Sequence, residues 1–152
     1  NIVNLFQMTR YFLKEMVERD SGTIINISSN SSFQPTMRLN VYASTKAFVS
    51  HFTQGLTDEL RLMKSNVTAI TICPSAINNT AFRTKNGMQG VKTFEGLAYT
   101  TKEEVAKDVW KAFQKKKTFQ VTGWKMRITY ATRNFVPAWL MRILMKMETD
   151  KK

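Results

Sequence analysis

The chain has one cysteine, Cys73, and one histidine, His51. One thiol cannot build an internal disulfide framework, and this suits a reducing, intracellular compartment. One His and one Cys make no metal-ligating cluster, so no metal site is expected. No run approaches 18 consecutive apolar residues, so no transmembrane helix is expected either. Acidic residues are few: 11 Asp and Glu stand against 23 Lys and Arg, a formal net charge of +12. The excess is uneven, with 10 basic against 6 acidic side chains in residues 1–100 and 13 against 5 in residues 101–152. A basic second half can meet an anionic membrane or an acidic partner, or form an ordinary solvated surface. No recognisable nucleic-acid module accompanies it, so no nucleic-acid partner is expected.

What remains is the composition of a domain with a core: 152 residues, 43% of them apolar. The opening is unusual. It has no initiator Met and no signal peptide, and Ile2, Leu5, Phe6, Met8, Phe12, Leu13 and Met16 already recur at helical spacing. A piece of a longer protein is the expectation.

Residues 2–19 read as an amphipathic helix broken by Ser21-Gly22. Thr23–Ser28 is a β-branched run that reads as a buried strand. Residues 30–38 read as loop. From Val41 to Met63, Ala43, Ala47, Phe48, Phe52, Leu56, Leu60 and Met63 repeat at three- and four-residue steps. Val67–Cys73 is a second β-branched run, stopped by Pro74. Residues 75–100 have no clear period. Thr101 and Glu104 form a capping-box pattern that starts a helix to about Gln114. Thr118–Val121 reads as a short last strand closed by Gly123, and residues 125–147 as a basic amphipathic stretch interrupted by Pro137. The alternation predicts an α/β layered sheet with helices on both faces. It divides into a sheet-bearing unit, 1–123, and a basic amphipathic C-terminal tail, 124–152. Ligands of such sheets bind outside the carboxyl ends of the strands, which here are Ser28–Pro35, Pro74–Phe82 and the turn after Val121.

The sharpest local feature is Tyr42-Ala43-Ser44-Thr45-Lys46. Tyr and Lys four apart share one helix face, roughly 5–6 Å between Cβ atoms. A neighbouring ammonium favours the phenolate and is expected to lower the Tyr42 pKa below its usual value of about 10. Such a phenol can exchange a proton with a substrate oxygen. Ser29 lies thirteen residues before Tyr42, at the end of the first strand, and Pro74 closes the second strand. Strand alternation lets only one of Ser28 and Ser29 point at Tyr42.

The ordered set Gly22–Ser29, Tyr42–Lys46 and Cys73-Pro74, with Asn1 ahead of it, resembles the classical short-chain dehydrogenase/reductase superfamily. The resemblance runs from Asn1 to about Phe82, and loosely to Phe113. It implies the C-terminal part of a Rossmann-like, doubly wound parallel sheet. It also implies hydride transfer between NADP or NAD and a ketone, aldehyde or secondary alcohol. In the roles it implies, Tyr42 is the general acid/base and Ser29 holds the substrate oxygen. Lys46 tunes Tyr42 and binds the nicotinamide ribose, while Asn1, preferred over Asn4, supports a relay water. Pro74, Ile77 and Thr80 would contact the cofactor. The usual Pro-Gly is Pro74-Ser75 here, and Ser resists backbone geometries that Gly allows. Thr80 stands six residues after Pro74 rather than the usual five. The family's Gly-rich pyrophosphate turn has no counterpart, and the family would place it upstream of Asn1. The choice between NAD and NADP is therefore not legible.

Phe82, Met88, Phe94, Leu97 and Tyr99 lean toward an apolar substrate. Helices 2–19 and 41–63 are expected to join copies into a homo-oligomer. The tail suits an anionic membrane surface, a cap over the substrate pocket or a subunit contact, so the expected location is cytoplasmic or peripheral to a membrane. The alternative to an enzyme is a truncated, non-catalytic chain that only docks or oligomerises.

Overall fold

The computed structural model describes residues 2–77, 80–81 and 99–149. Helix α1 (Val3–Glu18) leads into strand β1 (Thr23–Ile27), and a 3-10 turn (Asn30–Phe33) leads into the long helix α2 (Asn40–Leu62). Strand β2 (Thr68–Cys73), helix α3 (Lys102–Gln114) and strand β3 (Phe119–Val121) follow. Helix α4 (Trp124–Thr132), a 3-10 turn (Arg133–Phe135) and helix α5 (Ala138–Thr149) complete the described chain. The three strands form a parallel sheet in the order β1-β2-β3. This is the α/β class that the alternation predicts. The 3-10 turn lies inside residues 30–38, where loop is expected.

Alternation along the strands assigns the two faces. Ala69 joins Leu56, Leu60 and Val67 in one cluster, against which Leu13, Met16 and Val17 of α1 pack. Ile70 and Ile72 point the other way and pack with Ile25 and with Val109 and Ala112 of α3. Helices α1 and α2 thus cover one face and α3 the other. β2 is the central strand, and its side chains from Ala69 to Cys73 are all buried.

The buried stripe of α2 differs from the apolar series in the sequence. Val49, Ser50, Thr53, Leu56, Thr57 and Leu60 face the sheet, while Met63 is exposed. Thr53 and Thr57 hide their polarity by donating to carbonyls four residues back, at 2.8 and 2.9 Å. Thr53 also accepts from Asn26 Nδ2 on β1 at 3.0 Å. Phe48 and Phe52 lie on the flank of this stripe. They stack on each other, and Phe52 meets Phe6 of α1 edge-on at 5.7 Å.

Two turns at the amino ends of the strands are clamped together. Asp20 accepts from the Asn66 backbone N–H and side-chain amide, each at 2.7 Å, and from Ser65 Oγ at 2.9 Å. These bonds hold its carboxyl below the ordinary carboxylate range, the Asn66 backbone bond most of all. Gly22 has φ +147°, and a Cβ there would meet Met16 Cγ at 2.6 Å, so the turn into β1 admits only glycine without a shift. The capping box forms as the pattern predicts: Thr101 Oγ1 accepts from Glu104 N at 3.1 Å, and the Glu104 carboxylate accepts from Thr101 N at 3.0 Å. His51 is exposed and Cys73 is buried.

Candidate active site

The carboxyl ends of β1 and β2 meet the first turns of α2. Ser28 and Ser29 leave β1 with opposite tasks. Ser28 Oγ donates to the Lys46 carbonyl at 2.7 Å, pinning α2 to the strand end. Ser29 is buried, caps the 3-10 turn by accepting from Ser31 N at 3.2 Å, and has its side chain beside the Tyr42 phenol. Ser31 Oγ donates to Ser29 Oγ at 3.0 Å, and Ser29 Oγ is 3.3 Å from Asn30 Oδ1, to which it donates.

Lys46 lies one turn after Tyr42. Its Nζ donates to the Ile27 carbonyl at 2.8 Å and stands 5.8 Å from the centre of the Tyr42 ring. The electrostatics differ from the expectation. Burial pushes the Tyr42 phenol above its usual value, with the bond to Ser29 opposing. Burial is the larger cause and the Ser29 hydroxyl the smaller, while the Lys46 ammonium is turned to the Ile27 carbonyl. Burial also pulls the Lys46 ammonium down, and the Cys73 sulfur opposes this. Cys73 itself is pushed up by burial, within a ring of hydroxyls that includes Ser50 Oγ at 3.7 Å.

Beyond Cys73 the chain turns at Pro74, whose carbonyl accepts from Asn30 N at 2.9 Å. This bond joins the exits of β1 and β2. Ser75, where glycine would be usual, is not among the residues with positive φ, so its backbone is one that serine adopts without strain. Its hydroxyl pairs with Thr100 Oγ1 at 2.9 Å, and its N–H lies 3.4 Å from Thr122 Oγ1. Ile77 pairs with Thr100 in a parallel bridge, and Thr80 Oγ1 donates to the Ile77 carbonyl at 3.4 Å. Asn1 lies outside the described residues, as do Phe82, Met88, Phe94 and Leu97 of the apolar series. Tyr99 is exposed.

Ser29, Tyr42 and Lys46 therefore come together, and Pro74 joins them through Asn30. Ile77 and Thr80 sit further along the exit of β2. Several residues of this edge escape a sequence reading. Thr122 is fully buried after β3, in a turn the strand-end rule does point to. Asp108 of α3 accepts from Gly123 N at 3.0 Å and from Arg127 Nη2 at 2.5 Å, and so fixes the start of α4. Gly123 has φ +76°, and a Cβ there would meet Thr100 Cγ2 at 2.5 Å. Phe33, Phe119 and Tyr130 form an aromatic cluster beside the 3-10 turn, with the Arg133 guanidinium 3.7 Å from the Tyr130 ring centre. Among the described residues, no group of three or more His, Cys, Asp or Glu is placed to hold a metal.

Known proteins resemble this chain. The chain is 36% identical to the NADP-dependent 3-hydroxy acid dehydrogenase YdfG of Escherichia coli over 113 residues, 72% of this chain and 45% of that protein. It is 46% identical to very-long-chain 3-oxoacyl-CoA reductase-B of Danio rerio over 61 residues, 40% of this chain and 20% of that protein. Among solved structures, the closed form of serine dehydrogenase complexed with NADP+ superposes with TM-score 0.60 at 35% identity, over 72% of this chain and 45% of that one. The chain spans less than half the length of each of these relatives. Residues 1–90 match the family described as short chain dehydrogenase. With a parallel sheet whose strand ends gather a serine, a tyrosine and a lysine, the chain belongs to the short chain dehydrogenase family.

Proposed function

We propose that the full protein is an NAD(P)-dependent oxidoreductase acting on a carbonyl or the corresponding alcohol, with Tyr42 as its general acid/base. The gathering of Ser29, Tyr42 and Lys46 at the carboxyl end of β1 carries this reading. It puts two hydroxyls at one point, where a substrate oxygen can accept from both. Lys46 suits the cofactor's ribose: its ammonium has three N–H donors, and Ile27 O takes one of them. Thr80 and the Ile77 backbone lie further along the same edge and would face the nicotinamide end. When bound, the cofactor supplies or receives the hydride. Ser29 orients the substrate oxygen and Tyr42 passes the proton. The relatives named above act on 3-hydroxy acids and 3-oxoacyl thioesters, and one holds NADP+, which supports NADP and a β-oxygenated carbonyl as the first compounds to assay.

The pH profile of the full chain tests the assignment. A phenol held above its ordinary value stays protonated through neutral pH. The reductive rate is therefore expected to be flat across neutral pH and to fall only as pH rises to about 10 and beyond. Oxidation, which needs the phenolate, should rise over the same window. A reductive rate that falls already near neutral pH would require another acid. No oxidation of NADPH or NADH with any carbonyl would favour the docking reading.

We infer further that the outer sides of α1 and α2 join two copies of the protein. Val3, Phe6, Tyr11 and Phe12 of α1 and Val41 of α2 stay exposed, although the opposite side of α1 packs on the core. Phe6→Arg with Tyr11→Arg should halve the mass of the full chain in sedimentation equilibrium. An unchanged mass would place the interface elsewhere.

A further inference from the structure

All three tryptophans lie in the second half of the chain, and all are exposed: Trp110 by 58%, Trp124 by 64% and Trp139 by 63%. Neither the sheet core nor the strand-end site uses them. Two of them begin a repeated arrangement. On α4, Trp124 and Ile128 are four residues apart and both exposed, while Met126 and Tyr130 turn inward. On α5, Trp139 and Ile143 repeat that spacing, again exposed. Side chains four apart share one helix face. Phe135, between the helices, is 86% exposed.

Cations frame these apolar pairs. Lys125 Nζ sits 5.6 Å from the Trp124 ring centre. Arg142 and Lys146 follow Trp139 at three and seven residues, and so border its stripe on α5. The only acidic residues beyond Trp124 are Glu148 and Asp150.

From this surface we propose that residues 124–146 dock on an anionic phospholipid bilayer, with the helices lying in the headgroup plane. Tryptophan is favoured at that depth because its ring is apolar and its N–H reaches water and headgroups. Lysine and arginine beside it meet lipid phosphates and carboxylates. No helix among the described residues is long and apolar enough to cross a membrane, which suits a helix lying on the surface. Charge selects lipid over a second copy, since the 13 basic against 5 acidic side chains of residues 101–152 would repel their own kind.

Cosedimentation of the full chain with phosphatidylcholine vesicles, with and without phosphatidylserine, tests this. Binding is expected only with phosphatidylserine, with a blue shift of tryptophan emission and a loss of binding at raised salt. Each cation near such a surface contributes about fivefold, so Arg142→Gln with Lys146→Gln should weaken partitioning roughly tenfold or more. Trp139→Ala with Ile143→Ala should weaken it too, at an unchanged melting temperature. Equal binding to both vesicle types, or binding to neither, overturns the proposal. So does a change of oligomeric state in the Trp139→Ala, Ile143→Ala variant. Should that variant melt early, the phosphatidylserine and salt dependence of the parent chain decides.

Discussion

Tyr42→Phe in the full chain is expected to lower kcat by about 10²–10⁴-fold, the usual contribution of one positioned proton donor. KM for the substrate should move little. Phenylalanine keeps the ring that packs in this half-buried position and removes only the hydroxyl. Ser29 keeps its bonds to Ser31 and Asn30, so the hydroxyl proposed to orient the substrate stays in place. The split between kcat and KM separates loss of proton transfer from loss of binding. Steady-state kinetics at saturating cofactor checks it. A kcat within about threefold of the parent would remove Tyr42 from the chemistry, far short of the loss a general acid predicts.

Ile72→Ala should produce the largest loss of stability, about 3–5 kcal/mol. Ile72 is fully buried in the central strand, paired with Ile27 on one side and Gln120 on the other. Its side chain belongs to the cluster under α3, where Ile70 and Ala112 leave no exposed surface to collapse into the gap. That loss is a large share of the roughly 5–15 kcal/mol that ordinarily holds a domain folded. Ile27→Ala, at the 43% exposed end of the edge strand, is the internal control and should cost below about 1 kcal/mol. Denaturant midpoints of the two variants at unchanged slope settle the comparison. Equal losses would mean that β2 is not the centre of the core.

Much of this architecture is legible in the residues because two periods carry it. The β-branched runs ending at Ile27 and Cys73 place β1 and β2, the short segment Thr118–Val121 places β3, and the three-four repeats place α1 and α2. The capping box at Thr101 is local chemistry and reads as local chemistry. What is missed depends on distance in the chain. The Ser75, Thr100 and Thr122 hydroxyls, or Asp108 with Arg127, meet only after folding, and no spacing announces them. The sheet-facing side of α2 also misleads, because threonines that bond to their own helix replace the expected phenylalanines. The direction of the Tyr42 shift is hidden for a related reason. A Tyr and a Lys one turn apart advertise their attraction, but desolvation is a property of what surrounds them, and here it is the larger effect. Asn1, Phe82, Met88, Phe94 and Leu97 lie outside the described residues, so their expected roles have no geometry to be read against.

Lys46 and the end of β1 are joined by two crossed bonds. The Ser28 side chain reaches the Lys46 backbone, and the Lys46 side chain reaches the Ile27 backbone. Each bond anchors a soft part of one segment to a stiff part of the other, so neither segment can slide without breaking one of them. The strand end and the helix turn that carry Ser29 and Tyr42 therefore move as a single plate. On the proposed reading this frame fixes Ser29 and Tyr42 relative to each other. Substitutions that spare both bonds should leave the separation of the two hydroxyls as it was.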